Sequence, residues 1–287
     1  MSCTDPIYAY DLGIKENGKR NLSIMGKRVP SGATLAQLEN MLGAGRIIPL
    51  PCGKCLACRK TKAREWAVRC VLEATEYDDN CFITLTYEDA FYPKYDTQLK
   101  ADLRNFFKRL RKDYNFRYFA CCEAGSKNKR YHFHALLFGI DLDKKTLEKY
   151  WKFGFVDSGS LTPASCFYVS QYAEKKVFVK DEFSFIRMST HPGLGYNWLF
   201  KHLKVLDYGS VFGSFGANNL PRYFEKISVR DLGLDFSELK DSKLNKSQAK
   251  TVHEMLIHGF DKVEDLWQYQ AAIDLNNFEH KERRKDL

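Results

Sequence analysis

No apolar run in this 287-residue chain approaches the ~20 residues needed to span a bilayer. The stretch Met1–Tyr10 also lacks the basic and then apolar pattern of a secretory signal, which places the chain in a cytoplasm. In that compartment its nine cysteines do not form a disulfide framework. Strand and helix patterns do not alternate with the regular spacing of a doubly wound fold, so that class is set aside. What remains is a folded chain, 44% hydrophobic and 14% aromatic, with a net charge of +9. Such a charge points to an anionic partner, of which nucleic acid is the commonest, although a basic soluble protein without one has the same composition.

Residues 1–77 read as an N-terminal extension, irregular up to residue 50 except for a short helix around Thr34–Leu42, then carrying cysteines and a basic amphipathic helix over Arg59–Tyr77. Residues 78–229 hold the core elements. Cys81–Tyr87 is a β-branched and aromatic strand. Leu99, Leu103, Phe106, Phe107 and Leu110 fall on one helical face, predicting an amphipathic helix over Thr97–Asp113. Its other face carries Lys100, Arg104, Lys108, Arg109, Arg111 and Lys112, which could grip phosphates or simply be solvated. Strands Arg117–Glu123 and Tyr131–Phe138 are joined by a loop short enough for antiparallel pairing. A short helix near Lys144–Trp151, a strand near Phe153–Val156 and a helix over Pro163–Lys176 follow. Residues 230–287 alternate charged and apolar residues at helical spacing and read as a helical tail. The fold class is α+β, a central antiparallel sheet of about five strands with helices on one face.

His132-Phe133-His134 lies in a strand, so both imidazoles point to the same side. Two imidazoles need one carboxylate to complete a site with positions open to substrate, and Glu123, at the end of the preceding strand, could supply it. This donor set suits Mn²⁺ or Mg²⁺, and Zn²⁺ as well. A solvated His pair, with Glu123 in an ordinary ion pair, is the bland reading. Thr162-Pro163 starts the later helix with an N-cap and a first-turn proline. It brings Tyr168 and Tyr172 together at i, i+4, with Lys175 and Lys176 just beyond. Ammonium groups near a phenol favour the phenolate, and a tyrosine of reference pKa ~10 needs such help to act as a nucleophile. Two tyrosines so spaced also serve as packing residues. Cys52, Cys55 and Cys58 form Cys-x-x-Cys-x-x-Cys, and with Cys70 could hold a structural Zn²⁺. An iron–sulfur cluster, or no metal, fits the same residues.

The order of Phe-Ile-Thr-Leu-Thr-Tyr, His-Phe-His and Tyr-x-x-x-Tyr-x-x-Lys-Lys resembles the three motifs of HUH endonucleases that initiate rolling-circle replication. It is most similar to the initiators of the Microviridae, single-stranded DNA phages, in the gokushovirus branch. Pro51-Cys52-Gly53-Lys54-Cys55-Leu56-Ala57-Cys58-Arg59, Trp66-Ala67-Val68-Arg69-Cys70 and His191-Pro192-Gly193-Leu194-Gly195-Tyr196-Asn197-Trp198 extend the likeness, which covers roughly residues 52–227. The chain departs from that pattern at Gln171, where relatives carry a base, and at Cys122-Glu123-Ala124-Gly125.

The resemblance implies that Glu123, His132 and His134 hold a metal that polarises a scissile phosphate. It implies that Tyr168 and Tyr172 are alternating nucleophiles, with Lys175 or Lys176 assisting. The implied activity nicks and rejoins single-stranded origin DNA through a 5′-phosphotyrosine link, in the cytoplasm of a bacterial host cell. The basic helices would grip phosphates, and a host replication helicase or polymerase is a candidate partner of the tail. A non-catalytic nucleic-acid-binding protein, a water-using metallo-phosphohydrolase and a single-tyrosine transposase are the rivals. Oligomeric state is not encoded in any of these patterns.

Overall fold

The structure is a computed structural model and describes residues 3–15, 20–26, 47–125, 130–175, 184–213 and 215–283. The chain divides into two compact units, Thr61–Phe224, and Met1–Lys60 together with Glu225–Leu287.

The larger unit is built on a five-stranded antiparallel sheet, as expected. Its strands are β4 (Asn80–Tyr87), β5 (Arg117–Ala124), β6 (Tyr131–Phe138), β7 (Gly154–Ser160) and β8 (Phe185–Met188), in the order β7-β4-β6-β5-β8. In β4 burial alternates strictly, placing Cys81, Ile83, Leu85 and Tyr87 on one face. The helix α2 (Asp96–Leu110) covers that face with Leu99, Leu103, Phe106, Phe107 and Leu110, the stripe read from the sequence. Burying each of these five contributes roughly 1.5–3 kcal/mol, which fixes the helix to the sheet far more firmly than its own propensity could.

Helices cover the second face too, rather than one face alone. There Phe119, Cys121, Leu136 and Phe138 pack against Cys70 and Val71 of α1 (Leu56–Ala74) and against Cys166 and Val169 of α4 (Pro163–Lys175). The reason lies in β6, whose Ala135-Leu136-Leu137-Phe138 run is buried on both sides and needs a helix over each. Thr162 caps α4, its hydroxyl accepting from the Ser165 amide at 3.2 Å. The remaining short element before it, α3 (Lys144–Glu148), packs by β7 and is capped by Asp143, whose side chain accepts from Thr146 at 2.9 Å.

The smaller unit corrects the reading of an irregular N-terminus. β1 (Ile7–Ile14), β2 (Arg20–Gly26) and β3 (Ile47–Leu50) form an antiparallel sheet in the order β2-β1-β3. The helix expected at 34–42 lies outside the described residues. The tail is helical as read: α8 (Ser237–His258) and α9 (Val263–Arg283) meet at Met255, Val263 and Leu266. Tyr8 of β1 lies against Trp267 of α9, ring centroids 6.1 Å apart. Between the core and these helices the chain forms α5 (Tyr196–Lys201), α6 (Val205–Tyr208), a hairpin of β9 (Ser210–Gly213) and β10 (Gly216–Asn219), and α7 (Arg222–Leu232).

Candidate metal and tyrosine site

Pairing of β5 with β6 sets Glu123 opposite His132 and Cys121 opposite His134, while β4 sets Thr86 and Thr84 opposite the same two histidines. All of Glu123, His132 and His134 therefore point to the face covered by α4. Their ligand atoms lie within 4.8 Å of one another. Glu123 Oε1 is 2.9 Å from His132 Nε2 and 3.1 Å from His134 Nε2, and both Glu123 and His134 are buried.

The far nitrogens of the two rings are also occupied. His132 Nδ1 is 3.2 Å from the Arg130 carbonyl, and His134 Nδ1 is 3.0 Å from Thr84 Oγ1. A carbonyl only accepts, so His132 Nδ1 carries the proton, and a neutral ring then turns its Nε2 lone pair toward the carboxylate. Lone pairs and a carboxylate crowded together repel unless a cation or proton lies among them. The three donors, with their outer partners, fit a divalent cation held on three protein ligands with positions open.

Phe82 and Tyr168 complete the surroundings. Phe82 stacks on His134 at 5.6 Å, and the Tyr168 ring meets His134 edge-on at 5.3 Å and Phe82 at 6.2 Å. Tyr168 is 40% exposed, so an aromatic residue on a helix otherwise anchored by buried Cys166, Val169 and Ser170 reaches both the histidines and solvent. Tyr172 and Lys175 follow on α4, where the backbone alone is described. Lys176 lies outside the described residues.

The sequence did not single out Phe82, Thr84 or the Arg130 carbonyl. The signal was available for the first two: alternation in Phe82-Ile83-Thr84-Leu85-Thr86 puts them on one side, and pairing with β6 makes that the histidine side. No pattern announces a backbone carbonyl.

The basic helix α2 lies on the other face of the sheet from the histidines. Lys100, Arg104 and Lys108 are exposed along it, and Arg111 and Lys112 follow its end. Arg109 instead donates Nε to the Tyr150 carbonyl at 2.8 Å, and the Arg111 guanidinium covers the Phe116 and Tyr118 rings at 5.1 and 5.2 Å.

The His191–Trp198 stretch is held by a buried polar network. Glu73 accepts from the Arg117 guanidinium and from the Gly195 amide at 2.6 Å, while Arg117 Nη2 donates to the Pro192 carbonyl at 2.6 Å. Arg69, lying over Trp66 and Tyr223, donates to the Leu194 carbonyl at 3.0 Å. Burial pulls its guanidinium down to about 10. A Cβ at Gly193 would run into the Tyr223 phenol, and one at Gly195, where φ is +79°, into the Phe224 ring. The glycines are thus explained by close packing.

In the smaller unit Cys52, Cys55 and Cys58 converge, and the fourth thiol beside them is Cys3. Cys70 is not part of the group. It lies on α1 more than three turns beyond Cys58, fully buried among Phe119, Leu136 and Cys166. Burial raises the Cys3 thiol to about 11 and lifts Cys58 further. At Cys55 burial is outweighed by hydrogen bonds, first from the Cys58 and Thr4 backbone, and the thiol falls to about 7.

The profile of the replication-associated protein ORF2 family matches residues 80–177, the segment from β4 to the end of α4. The chain is 30% identical over 239 residues to "Replication-associated protein ORF2" of Spiroplasma virus 4, covering 69% of this chain and 74% of that one. It is 31% identical over 208 residues to "Replication-associated protein VP4" of Bdellovibrio phage phiMH2K, covering 61% and 66%. It is 28% identical over 232 residues to "Replication-associated protein ORF4" of Chlamydia phage 1, covering 69% of this chain and 57% of that one. No solved structure is significantly similar to it.

Proposed function

Because the chain belongs to the family of phage replication-associated proteins, we propose that it initiates rolling-circle replication by nicking and rejoining single-stranded origin DNA through a tyrosine ester. The observation that carries this reading is the meeting of Tyr168 with His134 at 5.3 Å, on the face where Glu123, His132 and His134 converge. Metal ligands alone fit many hydrolases. A half-exposed phenol beside them fits transesterification.

Glu123, His132 and His134 would hold Mn²⁺ or Mg²⁺, which when bound polarises a phosphate oxygen and orients the group. Tyr168 Oη would attack phosphorus. A P–O bond forms to the tyrosine, the bond to the 3′ oxygen breaks, and the proton lost by the phenol is balanced by the one gained on the new 3′-hydroxyl. One phosphodiester replaces another, so the step is close to reversible and rejoining needs no external energy source. Tyr172, one turn along α4, is assigned as the second nucleophile, and Lys175 and Lys176 as cations that favour the phenolate. Phe82 and the cap of α4 would hold Tyr168 in place. Lys100, Arg104, Lys108, Arg109, Arg111 and Lys112 would hold DNA away from the reacting phosphate, since their helix lies across the sheet from it.

The test is a denaturation-resistant adduct with labelled single-stranded origin DNA and Mn²⁺. The reading requires an adduct with wild type and none with the Tyr168→Phe, Tyr172→Phe double variant. Phosphodiester turnover that survives in that variant would instead support a water-using phosphohydrolase.

A further inference from the structure

The thiol cluster of the smaller unit plays no part in the proposed reaction, yet its geometry is specific. We propose that Cys3, Cys52, Cys55 and Cys58 bind one Zn²⁺ as a tetrathiolate that fastens the segment leading into β1 to the start of α1. All four Sγ atoms lie within 4.8 Å of one another, with Cys52–Cys58 at 4.0 Å and Cys3–Cys55 at 3.8 Å. A tetrahedral ion with Zn–S of ~2.3 Å requires sulfurs about 3.8 Å apart, so the four thiols already stand at the corners of a one-ion site. An iron–sulfur cluster places each thiolate on a different iron and needs them more widely spread.

The backbone is arranged for thiolates as well. Gly53, with φ of +73°, turns the chain so that the Lys54 and Cys55 amides donate to Cys52 Sγ at 3.4 and 3.2 Å. The Cys52 amide donates to Cys3 Sγ at 3.4 Å. Amide donors aimed at sulfur stabilise its charged form and orient it, the outer-partner role seen in ligated sites. Cys55 stands immediately before α1 and Cys58 on its first turn, where the Cys55 carbonyl accepts from Arg59 at 3.1 Å. The knuckle and the helix start are therefore one rigid piece. Cys3 comes from the far end of the intervening chain, so a shared ion would close a loop that takes in the whole three-stranded sheet. That closure limits the unfolded chain more than a local Cys-x-x-Cys clip could.

The test uses the full chain, stripped of metal under reducing, anaerobic conditions and titrated with Co²⁺. A tetrathiolate gives strong visible bands of tetrahedral Co²⁺ and a sulfur-to-cobalt charge-transfer band saturating at one equivalent, both bleached by one equivalent of Zn²⁺. The charge-transfer band reports thiolates alone, so a second ion on histidine and carboxylate does not contribute. Cys3→Ser and Cys52→Ser are expected to lose charge-transfer intensity and bind Co²⁺ more weakly, and Cys70→Ser to match wild type. Loss in Cys70→Ser with none in Cys3→Ser would overturn the ligand set. So would iron with acid-labile sulfide in the protein as isolated, disulfides among these four residues in freshly purified protein, or no thiolate band at all.

Discussion

Glu123 stands directly across the β5–β6 ladder from His132, its Oε1 2.9 Å from the imidazole Nε2. Side chains alternate along a strand, so a slip of one residue in this pairing would turn the carboxylate toward α2 and leave the histidines without it. Glu123→Gln keeps the shape and removes the charge, and its amide can still donate to one imidazole. Mn²⁺-dependent adduct formation is expected to fall by more than the ~10–100-fold that loss of an outer partner costs. The melting temperature of the metal-free protein is expected to hold. A melting temperature that collapses would make Glu123 a structural residue.

Thr84 reaches His134 Nδ1 at 3.0 Å and is such an outer partner. Thr84→Val keeps the volume and drops the hydroxyl, and should weaken Mn²⁺ activation of adduct formation by about 10–100-fold. Thr84→Ser should restore it. Equal behaviour of the two variants in a Mn²⁺ titration would remove Thr84 from the site.

Glu73, 2% exposed, holds Arg117 and the Gly195 amide. Its neutralisation leaves the Arg117 guanidinium without its buried counter-charge, and breaking such a pair costs about 3–5 kcal/mol. Glu73→Gln is expected to show that loss in urea unfolding.

The basic stripe of α2 makes a different kind of prediction. Replacing Lys100, Arg104 and Lys108 by Ala should weaken binding to any single-stranded DNA and reduce the slope of log K against log salt by roughly 2. The rate of adduct formation at saturating DNA should not change, because this helix covers the face opposite the histidines. A drop in that saturated rate would place the stripe at the reacting phosphate.

Much of this was legible in the residues themselves. The α2 stripe, the β4 alternation and the Thr162-Pro163 helix start each carry a period or cap that survives folding unchanged. Glu123 beside His132 and His134 followed from strand alternation and a short connection. The sheet over 7–50 escaped because its short strands, interrupted by Gly and Pro, carry no sustained period. The helices on the second face escaped because Leu136 and Phe138 read equally well as a core run covered from one side. Cys3 escaped for a different reason: partners brought together by a fold across 49 residues leave no spacing to read, whereas Cys70 offered a spacing that a continuous helix forbids.

The central claim is that Tyr168 and the Glu123, His132, His134 group act on one phosphate. Its most direct test is to trap the protein on labelled single-stranded origin DNA with Mn²⁺, digest both polymers, and locate the modified residue by mass spectrometry. A 5′-phosphotyrosine on Tyr168 or Tyr172 in wild type, absent in His134→Ala that retains its fold, is the predicted result. A nucleotide bound to any other residue, or an adduct undiminished in His134→Ala, would contradict it.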